Sequence, residues 1–177
     1  MRWEELLLQE LDDLELQAEG LYLAERAVAV AELSVSAYAD IDMAARLHAS
    51  LGAEVQLSLK GGSTAEGPLT RAGRDWVLVG RGRAESVVPM TAILRMRGAS
   101  ERAIPAEARS LSAKLGLGSA LRQLAHERET LAVALVDGSL VRGRIRRVGA
   151  DFVELAAETG ATELVPFSAI ALLRRGL

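Results

Sequence analysis

The chain writes one phrase twice. Residues 60–79 read KGGSTAEGPLTRAGRDWVLV, and residues 136–155 read VDGSLVRGRIRRVGADFVEL. Leu59, Gly62, Ser63, Gly67, Arg71, Gly73, Asp75 and Val77 recur as Leu135, Gly138, Ser139, Gly143, Arg147, Gly149, Asp151 and Val153, and Trp76 is matched by Phe152. After a slip of one residue, Val88-Pro89 and Ala92-Ile93 recur as Val165-Pro166 and Ala169-Ile170. Ala44-Ala45-Arg46 ahead of the first copy answers Ala120-Leu121-Arg122 ahead of the second. Glycines, turn residues and apolar alternation all hold register, which is the signature of a duplicated structural unit.

The unit can be read from its periods. From Glu54 the apolar residues alternate, with Val55, Leu57 and Leu59 between polar neighbours, so this stretch predicts a strand facing a core on one side. Gly61-Gly62 predicts a tight turn, and Gly67 a bend or bulge within the next strand. RAGRD turns again before DWVLVG, and ESVVP and AILRMRG supply two more short strands. The expected fold is α+β, an N-terminal helical arm followed by two tandem five-stranded barrels, each preceded by a short helix. The boundaries are an acidic arm at 1–42, a first barrel at 43–98, a Gly/Ser/Ala-rich linker at 99–118 and a second barrel at 119–177. In the arm, Trp3, Leu7, Leu11 and Leu14 form one helical stripe, readable either as cover for the barrels or as a surface for a partner or a second copy.

Composition narrows the function. The chain has no cysteine, which excludes disulfides, thiolate zinc sites and a cysteine nucleophile and fits a reducing compartment. Its first residues carry glutamates where a signal peptide needs bases, and the Ala/Val/Leu-rich run 21–39 is broken by Glu25, Arg26 and Glu32. A cytoplasmic location is expected. Eleven acids face three bases in residues 1–50, against thirteen acids and eighteen bases in residues 51–177, so an acidic arm is joined to a mildly basic body.

The repeat resembles the Sm-like superfamily. VALVDGSLVRGRIRRVGADFVEL looks like that family's first motif, with Asp137-Gly138 turning strand one into strand two and Gly143 bending strand two, and LVPFSAIALLR looks like the second motif. The helical arm plus tandem repeat is similar to an uncharacterised family of actinobacterial proteins. The resemblance implies small barrels and, in many members, uridine binding. Those members use an Asn after an aromatic residue and an Arg-Gly pair. Here Val77 and Val153 stand at the Asn position, and Pro89-Met90 and Pro166-Phe167 at the Arg-Gly position. Valine cannot read a base edge and proline lacks an N–H, so the family's RNA pocket is not expected here. The degenerate motif looks more like the C-terminal barrel of bacterial ribosome maturation factors, which acts chiefly by contacting protein.

No catalytic constellation stands out. His48 and His126 each sit alone on a helix and read as surface residues; neither has a carboxylate at i+4, and the chain has no cysteine. Asp75 and Asp151 follow glycines and read as turn formers. Phosphate-binding loops and serine elbows are missing from the sequence. The expectation is a non-enzymatic adaptor without cofactor or metal, contacting an unknown protein partner or a second copy through the arm and the barrel edges. The alternative is direct RNA binding. In VRGRIRR, Arg142, Arg144 and Arg146 alternate onto one strand face, extended by Arg147, Arg174 and Arg175. The first copy carries Glu66, Pro68 and Thr70 instead.

Overall fold

The computed structural model describes residues 38–81 and 84–175. Asp42–Leu177 forms one compact unit, and residues 1–41 form another. The arm stripe of Trp3, Leu7, Leu11 and Leu14 lies outside the described residues. Helix α1 (Met43–Ala49) starts on Asp42, whose carboxylate accepts from the Ala45 N–H at 2.6 Å. Five strands follow, β1 (Glu54–Leu59), β2 (Thr64–Ala72), β3 (Trp76–Val79), β4 (Ser86–Pro89) and β5 (Ile93–Arg97). Helix α2 (Leu117–Glu127) opens the second series of β6 (Leu131–Leu135), β7 (Leu140–Val148), β8 (Phe152–Ala157), β9 (Thr162–Pro166) and β10 (Ile170–Arg175).

The duplication extends to individual pairings. Trp76 faces Pro89 and Val77 faces Val88 in the first copy; Phe152 faces Pro166 and Val153 faces Val165 in the second. Register shifts fall between Leu69 and Arg71 in β2, and at the repeat-equivalent place between Ile145 and Arg147 in β7. The Gly73 N–H bonds the Trp76 carbonyl at 2.8 Å, as the Gly149 N–H bonds that of Phe152 at 2.8 Å. Within each copy the strands also take the same order, β5-β1-β2-β3-β4 and β10-β6-β7-β8-β9.

The expected pair of closed five-stranded barrels does not form. All ten strands belong to one open antiparallel sheet in the order β5-β1-β2-β3-β4-β10-β6-β7-β8-β9, and the described residues include two α-helices of the compact unit, α1 and α2. A strand edge in either copy needs a hydrogen-bonding partner, and the other copy, on the same chain, supplies it. Strand β4 pairs with β10, Val87 opposite Leu173 and Ser86 opposite Arg174. Pro89 lies beyond these two pairs, so its missing N–H leaves the seam intact.

This seam sorts side chains into two cores. Val88 and Leu172 join Leu47, Val55, Leu57, Leu69 and Val77 in one; their neighbours Val87 and Leu173 join Leu121, Val133, Ile145 and Leu155 in the other. Successive residues of a strand point to opposite faces, so the two cores lie on opposite sides of the sheet at the seam. Strands β4, β6 and β10 are therefore covered on both sides, and their sequences SVVP, LAVAL and IALL run apolar without alternation.

The linker is bound to the first copy along much of its length. The Ile104 N–H bonds the Ala45 carbonyl at 3.0 Å, Arg46 Nε donates to the Ser100 carbonyl at 2.6 Å, and Arg109 reaches Asp42 at 3.1 Å. Asp75 does more than form a turn, because its carboxylate accepts from the Leu117 N–H at 2.7 Å at the start of α2. The surface reading of His48 is corrected as well. The residue is buried, its Nε2 lies 3.2 Å from the Gly73 carbonyl, and a carbonyl can only accept, so Nε2 carries the proton. His126 is exposed.

Candidate functional site

Two surfaces of the compact unit offer unsatisfied binding capacity, the arginines of β7 with their neighbours and the two outer strands of the sheet. On β7, Val141 is half-buried and Gly143 and Ile145 are buried, while Arg142 and Arg144 project from the other face. A side chain at Gly143 would collide with the Ala156 carbonyl, so the close approach of β8 requires glycine there. The shift after Ile145 interrupts the alternation. Arg147, opposite Glu154, takes the outward place that alternation alone would give to Arg146. Arg146 remains exposed and donates to Thr162 Oγ1 at 3.2 Å.

Cross-strand register extends the outward face across the sheet. Arg142 lies opposite Ala132, and Ala132 lies opposite Arg174, so Arg142 and Arg174 stand two strands apart on one face with a small residue between them. Two strand spacings amount to about 10 Å. The guanidinium groups of Arg142, Arg144 and Arg174 make no hydrogen bond or ion pair among the described residues. Arg147 is partly neutralised by Glu154 at 3.3 Å. Arg175 belongs to the opposite face, facing Leu131, and its Nε lies 3.0 Å from Glu129. Of the six arginines proposed from sequence, Arg142, Arg144, Arg147 and Arg174 thus share a face, Arg146 sits on the bulge and Arg175 is turned away.

The outer strands are β5 and β9. Their repeat partners, β10 and β4, form the seam, and comparison of the copies shows what pairing changes. Ala171 of β10 and Val87 of β4 are 0% and 6% exposed, whereas the corresponding Leu94 of β5 and Leu164 of β9 are 65% and 63% exposed. Arg95 replaces Leu172, and Glu163 replaces Ser86. Sequence reasoning missed these residues. Their signal was the divergence between copies, apolar where a strand is central and charged where it is an edge.

Burial holds the His48 imidazole below the usual histidine range, reinforced by the nearby Arg109 charge and opposed by the Gly73 hydrogen bond. Asp137 is held below the usual carboxylate range by the Ser139 hydroxyl and N–H, which close the β6–β7 turn. Among the described residues no three His, Asp or Glu side chains cluster to hold a metal ion, and no helix is long and apolar enough to cross a membrane. The chain matches no protein-family model and no curated protein sequence.

Proposed function

We propose that this chain is a non-enzymatic adaptor that binds protein through the open edges of its sheet, a second copy of itself included. The supporting observation is the seam. Strands β4 and β10 pair within the chain, while β9 and β5, their repeat partners, end the sheet with exposed leucines. Repeating the seam between chains sets Met96 of one copy opposite Leu164 of the next, and Arg97 opposite Glu163. Those pairs are the equivalents of Leu173 with Val87 and of Arg174 with Ser86. Opposite charges fall where the internal seam has an Arg and a Ser, which favours this register. Head-to-tail pairing of this kind either closes a ring or extends as a filament.

Light scattering over a range of concentrations tests it. Mass should rise with concentration, Arg97→Glu should lower it, and Arg97→Glu combined with Glu163→Arg should restore it. A wild-type chain that stays monomeric throughout removes self-association from the reading, and an unrestored double variant removes this register. Deleting residues 1–42 examines the arm; unchanged mass and partner capture would leave the sheet edges as the binding surface.

A second reading, direct RNA binding, draws on the unpartnered guanidinium groups of Arg142, Arg144 and Arg174 on one face. Against it stand Val77 and Val153 where nucleotide-binding relatives of the resembled superfamily carry Asn. Binding to single-stranded RNA through this face should weaken steeply with salt, by a log–log slope of about 0.7 per phosphate neutralised. It should also be lost in the Arg142/Arg144/Arg146→Ala variant. Salt-insensitive binding, or none, removes the reading.

A further inference from the structure

A cavity of about 550 Å³ opens beneath helix α2, between it and the strands that carry the seam. Its floor is one cross-strand row. Arg71 of β2 lies opposite Leu78 of β3, Leu78 opposite Val87 of β4, and Val87 opposite Leu173 of β10. Directly opposed residues share a face, so these four side chains rise on the same side of the sheet. Toward β10 the row is sealed by the second core, where Val87 and Leu173 are 6% and 1% exposed. Toward β2 the helix no longer covers it. Leu78 and Trp76 are half-buried, and Arg71 is exposed. Leu124 of α2 forms part of the wall, and the Leu115 carbonyl fixes the lip by accepting from Trp76 Nε1 at 3.0 Å and from the Arg74 N–H at 3.0 Å.

The chemistry of this cleft is graded. One end is aliphatic and closed, the middle is aromatic, and at the open end the Arg71 guanidinium has no hydrogen-bond or ion-pair partner among the described residues. Arg175 also lines the mouth, ion-paired with Glu129, and Glu85 lies on the same side, two residues from Val87. The volume falls within the range of roughly 300–1,000 Å³ typical of small-ligand sites. We infer that the cleft binds a small amphipathic anion, a carboxylate with an apolar tail, with its tail on Leu78, Val87 and Leu173 and its charge at Arg71. The floor takes strands from both copies, so the site is a product of the seam and has no counterpart within a single copy. It does not depend on the outer edges of the sheet or on any partner there.

The test is a fluorescence titration of the full chain with decanoate below its micelle concentration. Trp3 and Trp76 are the only tryptophans, so the Trp3→Phe chain reports Trp76 alone. Decanoate should shift the Trp76 emission saturably, and decanol, with the same tail and no charge, should bind at least about tenfold more weakly, the size expected of one charge-assisted hydrogen bond. Arg71→Gln should abolish that preference, and Glu85→Gln should tighten decanoate by removing a like charge. Arg122→Gln, on α2 but outside this cavity, should change nothing. Emission that never saturates overturns the inference. So does equal binding of decanol and decanoate by the unaltered cleft, or an Arg71→Gln response no larger than that of Arg122→Gln.

Discussion

Gly61 illustrates how a single residue joins the two copies. Its φ of +72° lies in the left-handed region, and an added Cβ would strike the Leu135 carbonyl oxygen and the Gly138 backbone in the equivalent turn of the second copy. Gly61→Ala should therefore cost about 1–3 kcal/mol through strain, with the collision added. Gly52, whose φ is +85° with open space around its missing Cβ, separates the terms: Gly52→Ala should cost less in the same urea melts. His48 makes a prediction in pH. Its folded-state pKa lies below the unfolded value, so the unfolded chain binds the proton more readily. Stability should be complete above the ordinary histidine value of about 6.5 and fall as pH drops through that value toward the folded one. Urea midpoints at about pH 7.5 and about pH 5.5 should differ less in His48→Gln, which keeps a donor for Gly73 without the titration. An unchanged difference would assign the acid sensitivity elsewhere.

Elements were legible to the degree that their information is local. Alternation at Val55, Leu57 and Leu59, the Gly61-Gly62 turn and the Asp137-Gly138 turn mark β1, β2, β6 and β7 because period and turn chemistry act within a few residues. The pairing of β4 with β10 was not legible in this way. It joins residues far apart in sequence, and both strands would offer the same apolar edge to a closing strand of their own copy. Contrast between the copies held the missing signal, IALLRR at the center of the sheet against ILRMR at its rim. The arginine face was readable up to the bulge after Ile145, and the helix-capping role of Asp75 was hidden by its distance from Leu117. Leu173→Ala should remove seam packing and cost about 2–5 kcal/mol. Asp75→Ala should remove a helix-start hydrogen bond for about 1 kcal/mol. Measured separately by urea unfolding, the two losses should differ in that order.

At the scale of the whole molecule, duplication was plain from the glycines, and closure was the error. A copy of this length has only a marginal interior of its own, and the seam adds to it. Ala134 and Leu172 contribute to the core of the first copy although they belong to the second, and Val87 does the reverse. Each half therefore holds pieces of its sibling's interior. Cut at the linker and expressed separately, neither fragment should yield a cooperative melt, whereas co-expression should recover a non-covalent pair. A chain written as two like halves can then no longer be halved, since its midline is a spine that both of them share.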